Sequence, residues 1–446
     1  MKRFRLPHPL VLLVGGVALA AVLTYVLPAG QYQRRQDAAT GRSVVVPGTW
    51  HRVAAARVTP FQAVVAIPQG MVDAGDVIFF VFLIGGAFAV VDRTGALRRS
   101  LQRLVRFLGH REHLVLPIAC LAFATAGALE NMQEEIIALV PVLLLLMRGL
   151  GYDRLTAAAV SLGAAAVGSA FSPVNPFQVG IAQKLAGLPL LSGGLFRSVF
   201  LVLAVALWIA GTMRYAARTR VDEREGELAE GAMHPRDGVV LALVLLAFAV
   251  FIYGVIAFEW GFLDMAAVFF VMGVAAGLAG RLGVEGTADA FAGGFRDMAY
   301  AGLLIGFARA IYVVLRDGRI VDTIVHGLFH PIAGLPVALS AVGMTGVQAL
   351  IHVPVPSVSG QAVLTMPLLV PLSDLLGIPR QVTILAYQSG AGLMDMLTPT
   401  NGALMAILAA TGVRYERWIR FVLPLYGLLM ALGIVAIFVG LAMGLR

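Results

Sequence analysis

The sequence holds a single cysteine, Cys120, in 446 residues. That excludes an intrachain disulfide and any metal centre built on thiolates. Charge is scarce as well: 13% of the residues are charged, against roughly a quarter in soluble domains. No Walker-type phosphate loop occurs, which argues against ATP-driven transport by this chain alone. HExxH and nucleophile-elbow patterns are missing too, which argues against a membrane protease or hydrolase. The formal charge of +8 suggests a nucleic-acid partner only until the arginines are located. They cluster in loops between apolar runs, as orientation signals do, so no nucleic-acid partner is expected.

What is abundant is apolar residues, at 59% with a mean hydropathy of +0.87. Within one such run sits Glu130-Asn131-Met132-Gln133-Glu134-Glu135. Leu114 to Leu129 before it and Ile136 to Met147 after it carry no charge. A charge at the bilayer centre costs roughly 3 kcal/mol on insertion scales, so these carboxylates face protein or a wet cavity. Each flank is too short to cross a bilayer comfortably, which takes roughly 20 residues. The stretch therefore predicts a re-entrant hairpin turning at an acidic tip.

The chain does this twice. Displaced by 226 positions (367 − 141), Pro141 falls on Pro367, Arg154 on Arg380, Pro173 on Pro399 and Asn175 on Asn401. The acidic tip falls on Pro356-Ser357-Val358-Ser359-Gly360-Gln361, and Ser172-Pro173-Val174-Asn175-Pro176 on Thr398-Pro399-Thr400-Asn401-Gly402. Interruptions at matching positions of two halves point to a transporter's binding site.

These features predict an all-α polytopic membrane protein with an inverted repeat. The first repeat covers 1–213, with a hairpin over 114–148 and a broken helix over 155–188. A charged cytoplasmic linker fills 214–238, and an inverting helix 239–257. The second repeat covers 258–446, with a hairpin over 333–376 and a broken helix over 381–410. Residues 61–75 read as interfacial and 284–297 as a separate amphipathic segment before a crossing from Ala299 to Leu315. Lys2-Arg3-Phe4-Arg5 ahead of Leu10 to Leu27 resembles a signal peptide, but the run approaches spanning length and reads as an uncleaved first helix. The charge rule then places the N-terminus in the cytoplasm of a cell (inner) membrane and the C-terminus outside.

Proline removes a backbone donor and frees a carbonyl one turn earlier. Inside a membrane that is tolerated where the backbone lines a cavity or a partner satisfies it. Opened carbonyls beside Ser172, Asn175, Thr398, Thr400 and Asn401 suit a cation such as Na⁺; half-helix N-termini favour anions. The alternative is a plain proline kink. Around the breaks, the candidates for contact with a substrate are Asn131, Glu134, Glu135, Asn175, Gln178, Ser357, Ser359, Asp395, Asn401 and Arg309. Arg309 lies mid-helix and would pair a substrate carboxylate or a buried Glu. Gln183 lines the cavity in this reading, Gln388 and Ser389 read as packing groups, and Lys184 snorkels to the interface. His352 reads as a proton carrier or as a structural histidine.

SPVNPFQVGIAQ at 172–183, SVSGQAVLTMPLLVPLSD at 357–374 and AYQSGAGLMDMLTPTNG at 386–402 resemble the YfcC family. That family belongs with the C4-dicarboxylate anaerobic carrier (DcuC) and arginine/ornithine antiporter-like proteins of the ion transporter superfamily. The resemblance covers nearly the whole chain. It implies a two-hairpin elevator fold, a homodimer in the lipid bilayer, and secondary transport of an amino acid or a C4-dicarboxylate. The superfamily's sodium-coupled dicarboxylate branch carries Ser-Asn-Thr at its tips. Here the tips read Glu-Asn-Met and Ser-Val-Ser, which leaves Na⁺ coupling, H⁺ coupling and pure exchange open. No other cofactor is implied. A channel, or an intramembrane enzyme using the Glu cluster, are the alternative functions.

Overall fold

The computed structural model describes residues 8–37, 43–97, 99–100, 103, 114–130, 133, 135–220, 234–258 and 260–445. Asn131, Met132 and Glu134 of the acidic tip lie outside the described residues. Among the described residues, apart from four short strands, the regular structure is helical.

Helix α1 (Pro9–Val26) starts with proline at its first position, where no N–H is needed. The segment after it forms two small antiparallel sheets. Strand β1 (Gly30–Gln31) pairs with β4 (His51–Arg52), and β2 (Arg34–Gln36) with β3 (Ser43–Val45). Helix α2 (Pro60–Asp73) opens with a capping box: the Gln62 backbone N–H donates to Thr59 Oγ1 (3.3 Å), and the Thr59 N–H to Gln62 Oε1 (2.8 Å). Residues 61–75 are thus mostly a regular helix, which ends at Asp73, with Ala74 alone between it and α3 (Gly75–Arg93).

Helices α4 (Val115–Glu130) and α5 (Ile136–Gly149) flank the first tip. The first broken helix follows: α6 (Arg154–Ala158), a π turn (Ala159–Gly163) and α7 (Ala164–Ala170). After the interruption it resumes with a second π turn (Pro176–Gly180) and α8 (Ile181–Leu185). Helix α9 (Gly194–Arg218) completes the first half, and α10 (Pro235–Phe258) links the halves. Arg99 forks onto Asp237 at the start of α10, with two nitrogens each 2.7 Å from the carboxylate, and the guanidinium holds that carboxyl down at about 2.

The second half contains α11 (Phe262–Ala279), α12 (Gly283–Asp317) and α13 (Val321–Phe329). Helices α14 (Val337–His352) and α15 (Val358–Leu376) flank the second tip. The second broken helix is α16 (Arg380–Met394) and α17 (Gly402–Thr411), followed by α18 (Tyr415–Ala442). The expected division of 284–315 into an amphipathic piece and a crossing does not occur, because α12 is one helix of 35 residues. Polarity changes near Met298, but no proline or side-chain cap lies there, and a change of polarity alone does not end a helix.

The same packing appears in both halves. Helix α4 lies along α7, and α14 along α16. Helix α5 reaches across to α17 of the second half, while α15 reaches back to α8 of the first. Helix α12 packs on α1, α2, α3 and α17, and α11 on α3. At the α4–α7 crossing Gly127 and Gly168 bring the two backbones together: a Cβ on Gly168 would lie 1.9 Å from the Ala124 carbonyl oxygen. Among the described residues, six helices are long and apolar enough to cross a membrane: α3, α9, α11, α12, α15 and α18. The outer faces of several helices carry exposed Leu, Val and Phe, as a lipid-facing surface does.

Candidate functional site: two helix breaks and the side chains that close them

Pro173 and Pro176 delete the N–H groups that would bond the carbonyls four residues earlier, those of Ser169 and Ser172. The side-chain amide of Gln388 on α16 supplies the missing donor. Its Nε2 lies 2.6 Å from the Ser172 oxygen and 3.4 Å from that of Ser169. Its own Oε1 accepts from Arg197 Nε at 3.3 Å. Arg197 is 1% exposed and also donates to the Ser192 oxygen and to Gln381 Oε1, both at 2.9 Å. All of these acceptors are neutral.

Asn175 caps the continuation of the helix: its Oδ1 accepts from the backbone of Phe177 and Gln178, each at 3.0 Å. Its Nδ2 donates to the Gly127 carbonyl at the end of α4 (3.0 Å) and to Ser169 Oγ (3.4 Å). Ser172 Oγ donates to the Ala128 oxygen at 2.5 Å and accepts from the backbone of Val174 and Asn175. Gln178 Oε1 accepts from Ser169 Oγ at 3.2 Å; its buried Nε2 has no acceptor among the described residues.

The second break repeats the arrangement. Asn401 Oδ1 caps α17 by accepting from the Leu404 N–H at 2.9 Å. Thr400 Oγ1 donates to the Val353 carbonyl (2.6 Å), which the 226-residue offset equates with Gly127. Asn401 Nδ2 donates to Asp395 Oδ1 (2.7 Å), and the offset equates Asp395 with Ser169. A serine in the first half has thus become a carboxylate in the second. Thr398 and Thr400 share a hydroxyl bond of 2.8 Å. The oxygens read as candidate cation ligands therefore serve, in this arrangement, as caps and ties between backbone segments.

Asp395 is the centre of a buried network. His352 Nε2 lies 2.9 Å from its Oδ1, and Gln133 Nε2 of the first tip donates to its Oδ2 at 2.6 Å. Gln133 Oε1 in turn accepts from Asn401 Nδ2 at 3.3 Å. On the far side His352 Nδ1 meets Gln361 Oε1 at 2.9 Å, while Gln361 Nε2 donates to the Gln348 carbonyl at 2.7 Å. Gln348 Nε2 donates to Thr365 Oγ1, which donates to the Gln361 carbonyl. His352, Gln361, Gln348 and Thr365 are fully buried. One network thereby joins a residue of the first tip, the end of α14, the start of α15 and the second break.

A family model described as DcuC, C4-dicarboxylate anaerobic carrier, matches residues 6–442. The chain belongs to the DcuC family. YfcC of Escherichia coli (strain K12), provisionally named a basic amino acid antiporter, is 32% identical over 99% of this chain and 98% of its own length. An uncharacterized protein of Haemophilus influenzae is 28% identical over 97% of this chain and 96% of its own. Among solved structures the chain is similar to the YdaH transporter of Alcanivorax borkumensis, at 16% identity over 98% of this chain and 99% of that one, with a TM-score of 0.45. It is also similar to MtrF of Neisseria gonorrhoeae, from a class of antimetabolite efflux pumps, at 16% identity over 97% and 94%, with a TM-score of 0.40. This member of the DcuC family is a multi-pass membrane transporter and not an enzyme.

The remaining candidates of this DcuC family chain fall in different places. Ser357 caps α15 and, with Gly360, Tyr312, Arg34 and Arg309, lines a separate cavity of about 310 Å³. Among the described residues Arg309 pairs with an aspartate and not with a buried glutamate. It is 43% exposed and meets Asp73 at the end of α2 at 2.5 Å, because its phase on α12 turns it toward α2. Glu135 and Ser359 are half-buried, Lys184 is exposed on α8, and Asn131 and Glu134 lie outside the described residues. Sequence reasoning passed over Gln133, Gln361 and Arg197. The offset carried a signal for Gln361, which falls on Glu135, and Arg197 is a lone charge between apolar runs.

Asn401→Ala removes a helix cap and one of three contacts to the Asp395 carboxylate, at about 1–3 kcal/mol for a buried group left unpaired. Uptake per folded protein is expected to fall at least tenfold, and Asn175→Ala to do likewise. Wild-type uptake in both variants would reduce the breaks to plain kinks.

Proposed function

We propose that the protein is a secondary active transporter of a small carboxylate-bearing solute, either an amino acid, basic ones included, or a C4-dicarboxylate. The observation that carries this reading is reciprocal closure: each break is completed from the other half, by Gln388 at Ser172 and by Gln133 at Asp395. Two interrupted helices that hold each other shut around buried polar groups suit a site that opens alternately to two sides. In this reading the helix pairs α4–α5 and α14–α15 are opposed re-entrant hairpins. With α7, α8, α16 and α17 they move as an elevator against a scaffold of α1, α2, α3, α11 and α12. The chain acts as a homodimer in the inner membrane, with its N-terminus in the cytoplasm and its C-terminus outside. Transport is driven by an H⁺ or Na⁺ gradient or by exchange. The names of the family and of YfcC support the two solute classes.

Exchange in proteoliposomes tests it. Labelled arginine and labelled fumarate are offered outside, with the same compound unlabelled inside. Acceleration of label entry by the internal solute, at least fivefold for one of the two, is expected of an alternating carrier. Flux that ignores the internal solute and follows the electrical gradient alone would instead indicate a channel.

A further inference from the structure

We infer that the buried His352–Asp395 pair is the carrier's proton-binding site, and that the bound proton fastens the first tip and α14 to the second break. The inference rests on the transport reading above and names its coupling ion. It follows from the direction of the hydrogen bonds.

Gln361 Nε2 is fixed as a donor by the Gln348 carbonyl at 2.7 Å, so Gln361 presents an acceptor, Oε1, to His352 Nδ1 at 2.9 Å. Nδ1 must therefore carry a hydrogen. Asn401 is fixed in the same way, because its Oδ1 caps Leu404 and its Nδ2 points at Asp395 Oδ1. Asn401 Nδ2 in turn meets Gln133 Oε1, which leaves Gln133 Nε2 to donate to Asp395 Oδ2. Two donors thus already address the carboxylate.

The remaining contact is His352 Nε2 to Asp395 Oδ1 at 2.9 Å. With Nδ1 protonated, a neutral imidazole would bring a bare Nε2 against an ionised oxygen, two acceptors facing each other. The contact is satisfied only when one further proton lies between them, either on Nε2 beside a carboxylate or on Oδ1 beside a neutral ring. In both forms the pair holds one proton more than a carboxylate with a neutral histidine, and it is neutral overall. The arrangement described is the proton-loaded one.

Among the described residues, several ionisable side chains on the neighbouring elements have partners of their own. Arg197 is held by Gln381 and Gln388. Tyr387 donates to the Val358 oxygen and Tyr426 to Met394 Sδ. On α13, Asp322 pairs with Arg34, and His326 meets Tyr32. Loss of the proton would leave a net negative charge among buried groups and a repulsive contact where α14 meets the second break. Both effects favour separation of α14 from α16. A proton taken from water on one side and released on the other would thereby be tied to closing and opening of the site.

Two measurements test this. In the first, purified detergent-solubilised protein is titrated in weakly buffered solution between pH 5 and 9. His352→Gln and Asp395→Asn are each expected to bind one proton per chain fewer than wild type over that range. Titration of both folded variants identical to wild type would overturn the proposal. The second needs no variant: wild-type proteoliposomes are given a pH gradient without Na⁺, or a Na⁺ gradient at uniform pH, with arginine and fumarate as probes. At least tenfold accumulation is expected from the pH gradient and none from Na⁺; the reverse would overturn the proposal. If neither probe exchanges in wild type, the transport reading fails, and the proton count alone then decides the fate of the pair.

Discussion

Gly168→Ala is expected to reduce the yield of folded protein to less than a tenth of wild type, measured as monodisperse protein extracted from membranes. The added Cβ would lie 1.9 Å from the Ala124 carbonyl oxygen and 2.7 Å from its carbon. A Cβ on Gly127 would meet the Ala165 oxygen at 2.0 Å. Both obstacles are backbone, so no rotamer change relieves them; α4 and α7 would have to move apart along their whole contact. Overpacking of a well-filled interior costs about 1–3 kcal/mol and more where the obstacle cannot yield. The same separation would carry the Gly127 and Ala128 carbonyls away from Asn175 and Ser172, so the first break would lose its ties as well. Gly346→Ala on α14 is the control, because nothing lies within 4 Å of its added Cβ. Its yield should equal wild type. Normal folding of Gly168→Ala would show that the two helices do not need this approach.

Gln388→Leu should abolish at least nine-tenths of transport and lower the thermal midpoint by several degrees. Leucine has similar volume but neither donates to Ser169 and Ser172 nor accepts from Arg197. The buried Ser172 carbonyl, left without its donor, costs about 1–3 kcal/mol, whereas that of Ser169 keeps the Ser172 N–H at 3.1 Å; a buried guanidinium short of an acceptor costs more. Gln388→Glu discriminates between these roles. It gives Arg197 an ionic partner but sets a carboxylate against two carbonyl oxygens. If closure of the break is what matters, Glu restores stability in part and transport not at all. A Gln388→Leu protein that melts and transports like wild type would mean the Ser172 carbonyl finds another donor.

The positions of the breaks were legible in the sequence because proline writes them directly: a missing N–H has a fixed consequence one turn upstream. The offset between halves was legible for the same reason, resting on Pro and Asn rather than on interchangeable leucines. What closes each break was not. Gln388 and Ser172 lie far apart in sequence, and nothing local to Gln388 distinguishes it from a packing amide. His352 looked like a lone histidine because its two partners, Gln361 and Asp395, come from other segments of the chain. The acidic tip drew attention for its charge, yet a neutral residue of it, Gln133, reaches the network. Arg309 misled in the opposite direction. An arginine in an apolar run suggests a buried partner, but helical phase decides which neighbour it meets, and phase against a distant helix is not written in hydropathy.

The cavity beside Arg309 has an electrical consequence. Arg309 lies about 12 Å along the axis from the end of α12, at 1.5 Å per residue. Arg309 and Arg34 are both close to half exposed where they line that cavity. In the membrane placement proposed above, water that wets the two guanidinium groups would bring bulk potential inward of the end of α12. The transmembrane voltage, about 2.3 kcal/mol per elementary charge per 100 mV, would then drop across the thinner barrier that remains. A charge moving between the second tip and the second break would cross a large share of that drop within a short distance.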